Sequence, residues 1–234
     1  VPGGTGPVVV FDDMDVTTSE RSYTYRVAVE DSCGERVVVS NFGTSILLTA
    51  SADLDGYDRL RWNGYVQWAG AVGGYTVYRS IADEPFLPIG TTSQGIWEFE
   101  DNVQGLAATP GKFCYYVVAD ETGNSSGIDA SSVSNIACAV QQEEVWIPNA
   151  FIESGYNNTF KPVLAYADVD RYEFTIFNRW GQQIWTTNDR DKAWDGRVDG
   201  TLVPQGVYAY YCSFLNGAGR TVERRGTVTF LPGS

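Results

Sequence analysis

The chain has 234 residues, no histidine, one methionine and a formal charge of −13 from 16 Lys/Arg against 29 Asp/Glu. Without imidazole, Ser-His-Asp and Cys-His catalysis and histidine-ligated zinc are excluded, and the acidity argues against gripping a nucleic-acid backbone. Frequent glycine and aromatic residues, with no apolar run of about 18 residues, point to a β-rich exported protein without a membrane-spanning helix.

The opening Val1-Pro2-Gly3-Gly4 does not resemble a natural start, and the chain reads as the mature C-terminal part of something longer. Phe11-Asp12-Asp13-Met14-Asp15 is followed by Tyr23-Thr24-Tyr25-Arg26-Val27-Ala28-Val29-Glu30-Asp31 and Val39-Ser40-Asn41. The same order returns as Phe99-Glu100-Asp101-Asn102, Phe113-Cys114-Tyr115-Tyr116-Val117-Val118-Ala119-Asp120 and Val133-Ser134-Asn135. Such self-similarity marks serial copies of one module. Residues 1–44 are expected to be the last three strands of a truncated copy, whose missing strands lie upstream.

Residues 45–141 read as a complete copy. Ile46-Leu47-Leu48-Thr49-Ala50 opens it, and Leu60-Arg61-Trp62 should carry Trp62 into a core. Tyr75-Thr76-Val77-Tyr78-Arg79 alternates, and Phe86–Gly90 and Ile96–Phe99 lead to the strands around Cys114 and Cys138. Short strands at 8–15 residue spacing predict an antiparallel sandwich. The early Trp and the late Cys-Tyr-Tyr-Val strand resemble a fibronectin type III domain. The fold class expected for the whole chain is all-β: tandem immunoglobulin-like or fibronectin III-like antiparallel sandwiches.

Among the four cysteines no CxxC spacing occurs, and neighbouring strands can bring Cys114 and Cys138 within bridging distance, so a Cys114–Cys138 disulfide is predicted. Cys33 has no clear partner, and Cys212, on an aromatic strand face, reads as a buried thiol. Asp12, Asp13 and Asp15 cluster near the front. Asp53, Asp55 and Asp58 share the loop Asp-Leu-Asp-Gly-Tyr-Asp, where calcium is possible, but the glutamate that closes an EF-hand is missing and a solvated acidic turn is preferred. No other cofactor is expected. Trp68, Trp97, Trp146, Trp180, Trp185 and Trp194 could in principle form a sugar-stacking platform. Core packing is the preferred reading, with Trp68 in its Gly-rich stretch the best candidate for an exposed ring.

A polar linker at 142–144 leads to the terminal segment, 145–234. Residues 1–144 hold 7 Lys/Arg against 20 Asp/Glu, and 145–234 hold 9 of each, so an acidic shaft carries a neutral end. Tyr172, Phe174 and Ile176 alternate with polar residues as a half-buried strand does, Asn178 and Gly181 bracket a turn, and a return strand follows. Trp194-Asp195-Gly196 reads as a tryptophan plug beside a tight turn. Pro204-Gln205-Gly206 opens a strand placing Tyr208, Tyr210, Cys212 and Phe214 on one face. The final strand, Thr221 to Pro232, is β-branched, with Arg220, Arg224 and Arg225 as a basic spot. It is either the last strand of the sandwich or an edge offered to a receptor.

The blocks Tyr172–Trp185, Ala193–Gly196 and Pro204–Tyr211, with Pro148-Asn149-Ala150-Phe151, resemble the gliding-motility-associated C-terminal domain, the type B sorting signal of the type IX secretion system in Bacteroidetes. The family's acidic Asn-Gly-Asp-Gly-like turn is here Ile152-Glu153-Ser154-Gly155-Tyr156, which weakens a metal reading carried over from the family and keeps the turn at Gly155. The resemblance implies export through the type IX translocon and attachment to the outer surface of the outer membrane through a barrel of PorP/SprF type. It also implies a non-catalytic role as the end of a gliding-adhesin-like surface protein, with no membrane insertion of its own. The residues it implies for recognition are Phe177, Asn178, Arg179, Trp180, Gly181, Trp194, Asp195, Gly196, Gly206 and Tyr208, with Arg220, Arg224, Arg225, Val228 and Phe230 of the terminal strand. The alternative is a carbohydrate-binding or spacer module of a secreted polysaccharide-degrading enzyme, favoured by an exposed row of tryptophans.

Overall fold

The computed structural model describes residues 11–125, 127, 130–231 and 233. Val1–Gly4 and Pro232, used in the readings above, lie outside them. Apart from one 3-10 turn at Gln104–Leu106, the regular structure of the described residues is all β. The first segment holds β1 (Thr24–Tyr25), β2 (Ala28–Glu30), β3 (Arg36–Val39) and β4 (Gly43–Thr44). The middle segment holds β5 (Leu48–Ala52), β6 (Tyr57–Trp62), β7 (Ala71–Ile81), β8 (Leu87–Ser93), β9 (Glu98–Asn102), β10 (Lys112–Thr122), β11 (Ser131–Val133) and β12 (Ala137–Val140). The terminal segment holds β13 (Glu144–Trp146), β14 (Ala150–Ile152), β15 (Val163–Ala165), β16 (Ala167–Phe177), β17 (Gln183–Thr187), β18 (Arg197–Val198), β19 (Thr201–Leu202), β20 (Gly206–Asn216) and β21 (Thr221–Leu231).

The middle segment is a two-sheet sandwich. One sheet runs β5-β6-β9, the other β8-β7-β10, with β11 and β12 pairing successive parts of the free side of β10. Alternation sorts the side chains. Along β6, Asp58, Leu60 and Trp62 point inward, while Arg59 and Arg61 face water opposite Glu100 and Glu98 on β9. Those exposed ion pairs, at 3.7 and 3.8 Å, set register more than stability. On β10, Phe113, Tyr115, Val117 and Ala119 are wholly buried between the sheets. Cys114 and Cys138 are direct cross-strand partners of β10 and β12 and are joined by a disulfide.

A polar knot ties the two sheets through this core. Tyr115 Oη lies 2.6 Å from Asp58 Oδ2 on β6 and 2.9 Å from Asp101 Oδ2 on β9. Arg79 Nη1 on β7 donates to both carboxylate oxygens of Asp101, at 2.9 and 2.7 Å. Gln141, at the end of the module, donates from Nε2 to Asp58 Oδ1 at 2.8 Å. A phenol has one proton to give, so two carboxylates against Tyr115 are fully satisfied when one of them is itself protonated. Asp58, the more deeply buried of the two, is the one that takes up that proton on acidification. Burial pushes it up to about 6, although hydrogen bonds from Tyr115 and Gln141 pull the other way.

The terminal segment has a separate core under the sheet β14-β21-β20-β16-β17. Phe174 and Ile176 of β16, Cys212 and Phe214 of β20 and Val228 and Phe230 of β21 pack there with Phe160 and Trp194 from the covering loops. Burial pushes the Cys212 thiol up to about 12, as suits an inert core thiol, while Cys33 is free and exposed.

Tyr166 joins the segments. It lies between β15 and β16 yet belongs to the middle core, buried edge-on against Phe113. Its amide donates to Ala107 O at 2.7 Å and its hydroxyl to Val103 O at 3.1 Å. Its φ of 53° turns the chain so that the ring enters the neighbouring module. Gly111 makes the fit possible, since a Cβ there would lie 2.7 Å from Tyr166 Cβ. Arg190 adds hydrogen bonds to Ala108 O and Leu164 O. Ala165, Tyr166 and Arg190 thus reach back across residues 142–144 onto the middle segment.

Two measurements follow from these contacts. The folded-state pKa of Asp58 exceeds its unfolded value, so protonation stabilises, and stability gained below about pH 6 is lost as pH rises through it. Lowering pH from about 7 to about 5 should stabilise the middle module by about 1 kcal/mol in urea titrations, and Asp58→Asn should abolish that gain. Tyr166→Ala removes a buried ring worth about 3 kcal/mol and is expected to separate the calorimetric melting of the two modules. Coincident melting with an unchanged midpoint would show that the ring does not couple them.

Candidate partner-recognition site

The sharpest site is built on the β16–β17 hairpin. Phe177 closes the hairpin base, paired with Gln183 and with Ala209 of β20. Asn178 then organises the turn. Its Oδ1 accepts the amides of Trp180 and Gln182, both at 3.0 Å, and its Nδ2 donates to Gln182 Oε1 at 2.8 Å. Gly181 takes the left-handed φ of 76° that this turn requires. With its backbone fixed, the turn holds the next side chains outward. Trp180 is 74% exposed, and the Arg179 guanidinium sits 5.0 Å above its ring.

Facing this turn is the loop that opens β20. Together they enclose a cleft of about 500 Å³ lined by Asn178, Arg179, Trp180, Ile184, Val198, Val203, Pro204, Gln205, Gly206, Val207 and Tyr208. Tyr208 is nearly buried at its base and donates to Pro204 O at 2.7 Å, which fixes the loop. Burial raises the Tyr208 phenol, so it stays neutral and keeps that bond. The cleft thus combines an apolar wall, an exposed indole and an exposed cation, a combination suited to burying apolar surface while pairing with a carboxylate.

Trp194, Asp195 and Gly196 lie behind the cleft. Trp194 is wholly buried against Phe151, Tyr208 and Phe230, and its Nε1 donates to Arg197 O at 3.0 Å. Asp195 Oδ1 accepts the Arg197 amide, and Gly196, at φ 79°, lies where a Cβ would be 2.7 Å from the Phe230 ring. Trp194 and Gly196 are buried and Asp195 is exposed, and none of the three lines the cleft. Val228 and Phe230, both wholly buried, do not line it either.

The terminal strand is placed differently from a free edge. β14 lies outside β21 and pairs with it in parallel from Thr229 to Leu231, leaving the outer side of β21 open toward Thr221 among the described residues. Arg225 is engaged on its own sheet, 3.0 Å from Glu223 and over the Tyr211 ring, and Arg224 donates to Glu223 O. Register separates this basic spot from the cleft. Gly206 pairs with Phe230 and Leu215 with Thr221, so Arg220 stands at the opposite end of β20, about 30 Å away at the rise of a strand. That opposite end is the joint: Gly217, in the β20–β21 turn, packs so tightly on Pro110 that a Cβ would approach its carbonyl oxygen to 2.7 Å. The cleft therefore lies at the end of the terminal module far from the middle one.

In the acidic loop Asp53 and Asp58 bond to the chain itself. Asp53 Oδ1 accepts the amides of Asp55 and Tyr57 and its Oδ2 pairs with Arg59, while Asp58 turns into the core knot. Asp13 is held by Tyr25 and by the amide of Asp15. Among the described residues no three His, Cys, Asp or Glu side chains gather as a metal site. The tryptophans form no row. Trp97, Trp146 and Trp180 are exposed on three separate elements, and Trp68, the expected exposed ring, is half-buried on Tyr65 with ring centres 4.3 Å apart. Ile184, Val198 and Val203 were not singled out from sequence. The available signal was apolar residues flanking Pro204 and Gly206, where a loop ordinarily turns polar.

The contrast between the two tryptophans is measurable. Trp194→Ala should cost about 4 kcal/mol in denaturant unfolding, as a buried ring does, whereas Trp180→Ala should change stability by about 0.5 kcal/mol or less.

Residues 145–230, which contain the whole cleft, match the family model described as the CHU_C Type IX secretion signal domain. Among solved structures, the FN1–FN3 domains of chicken CNTN1 align at 11% identity and TM-score 0.35, covering 79% of this chain and 65% of that one. A Ca²⁺-stabilised adhesin with which an Antarctic bacterium binds ice aligns at 14% identity and TM-score 0.24, covering 91% and 57%. The chain therefore spans less than two thirds of either structure. No curated protein matches it.

Proposed function

We propose that the terminal module is the address of a secreted surface protein, and that its distal cleft is the surface the export and anchoring machinery reads. Residues 145–230 match a type IX secretion signal domain, and on this reading the middle sandwich and the partial module before it serve as a stalk without catalysis of their own. The observation that carries the reading is the Asn178 turn. It spends its hydrogen bonds on holding Arg179 and Trp180 out over an apolar cleft, at the end of the module away from its own chain. A large exposed indole beside an unburied guanidinium is the composition of an interface anchor. On this reading the translocon takes the folded module through the outer membrane. A small outer-membrane barrel of PorP/SprF type then retains it at the cell surface by contacts at the cleft.

The test is a reporter fused ahead of the full 234-residue chain in a type IX-secreting bacterium, followed by capture from native membranes. Wild-type chain should bring down a small outer-membrane barrel. Arg179→Ala with Trp180→Ala should reduce capture at least tenfold at unchanged melting temperature, and Arg224→Ala with Arg225→Ala should leave capture intact. Full retention of the cleft variant would overturn the assignment of the cleft. Free release of wild-type reporter, with no barrel bound, would overturn anchoring and favour a substrate-binding spacer.

A further inference from the structure

The first segment reproduces half of the middle module in register. Ala28 pairs with Val39 as Val118 pairs with Val133. The Val27 amide donates to Ser40 Oγ, which donates on to Asn41 O; the Val117 amide, Ser134 Oγ and Asn135 O repeat this with the same distances, 2.9 and 2.7 Å. Thr24 and Thr44 are cross-strand partners whose hydroxyls meet at 3.0 Å, at the position of the Cys114–Cys138 disulfide. Tyr25 donates to Asp13 as Tyr115 reaches Asp101.

The surroundings of the two copies differ. Tyr115, Val117 and Ala119 are 0% exposed, whereas Tyr25, Val27 and Val29 are 41%, 68% and 53% exposed. In the middle module β7 pairs along β10 and places Arg79 opposite Tyr115, and β6 supplies Asp58. Among the described residues no strand pairs the corresponding side of β1 and β2, and Asp13 has no ion pair. The other face is already furnished, with the Arg26 guanidinium 5.2 Å over Phe42.

We propose that residues 11–44 are an acceptor half-sandwich, completed by a strand set bearing an arginine and an aspartate in the positions of Arg79 and Asp58 and contributed by the polypeptide ahead of them. Three features choose this occupant over an unrelated partner. The exposed face keeps an inward tyrosine and a carboxylate that need those two side chains. Its open edge carries the register that β7 uses. In the middle module the completing strands come from the same chain, directly before the Phe-x-Asp segment.

Residues 45–98 supply the probe. A second copy of them, joined directly ahead of residue 11, should slow amide exchange of residues 24–30 at least about a hundredfold relative to the 234-residue chain. Arg79→Ala in the added copy should undo most of that protection. In the 234-residue chain itself, the face should bind a hydrophobic dye, and Val27→Ser with Val29→Ser should abolish the signal without moving the melting of the other modules. Unchanged exchange in the extended chain, with the added tryptophan buried, would overturn the proposal. So would dye binding indifferent to the two serines, or a dimer of the 234-residue chain that already protects residues 24–30.

Discussion

The hydroxyl of Tyr115, shared between Asp58 and Asp101, is the contact on which the arrangement of the middle module and its exit depends. Each carboxylate comes from a different strand of one sheet, and the phenol and Arg79 from two strands of the other. Apolar side chains between sheets can slide by a residue at modest cost, but this set is satisfied in one register only. An unpaired buried carboxylate would be far more expensive than a lost methyl contact. The knot therefore fixes how the two sheets face each other. Through Gln141 it also fixes where the chain leaves the module, because the residue that donates to Asp58 stands next to the linker.

From that exit the geometry propagates outward. Val103, whose carbonyl receives the Tyr166 hydroxyl, follows directly on β9, which carries Asp101. The ring of Tyr166 is thus seated on the element that the knot positions. Gly111 and Gly217 remove the side chains that would hold the modules apart. Asn216 adds a bond to Glu143 of the linker. Three linker residues alone would allow swing. A ring embedded in the neighbouring core holds the connection, and the cleft sits at the end of β16 and β20 away from that joint.

Most of the strand plan could be read from alternation. Tyr172, Phe174 and Ile176, and Tyr208, Cys212 and Phe214, face inward as a period of two requires, and Trp62 lies in the middle core. The long-range partners left no local mark. Asp58 sits in a run of aspartates that resembles a solvated loop, and nothing in Asp-Leu-Asp-Gly-Tyr-Asp says that its last carboxylate turns inward toward a tyrosine 57 residues away. Tyr166, between two alanines, carries no sign of the left-handed turn that sends it into another module. β14 is three residues long and pairs in parallel with a strand 79 positions later, a contact that neither periodicity nor turn chemistry encodes. Trp68 has glycines around it, which suggest exposure, but the neighbour that covers it is Tyr65 on its own loop.

The motifs most recognisable in the terminal segment are those that the fold itself demands. Trp194-Asp195-Gly196 is identifiable because each position answers a strict internal demand: a ring-sized hole, a carboxylate for a backbone amide, and a left-handed residue against Phe230. Asn178 and Gly181 are constrained in the same way. Arg179 and Trp180, set between them, satisfy no such demand; the turn would close equally well around other side chains. A costly exposed indole that the fold does not need calls for a reason outside the fold. Family resemblance can therefore be expected to follow the frame, while under the proposed recognition role specificity for one receptor over another would reside in residues such as Arg179, Trp180 and Val207 that the frame leaves free to vary.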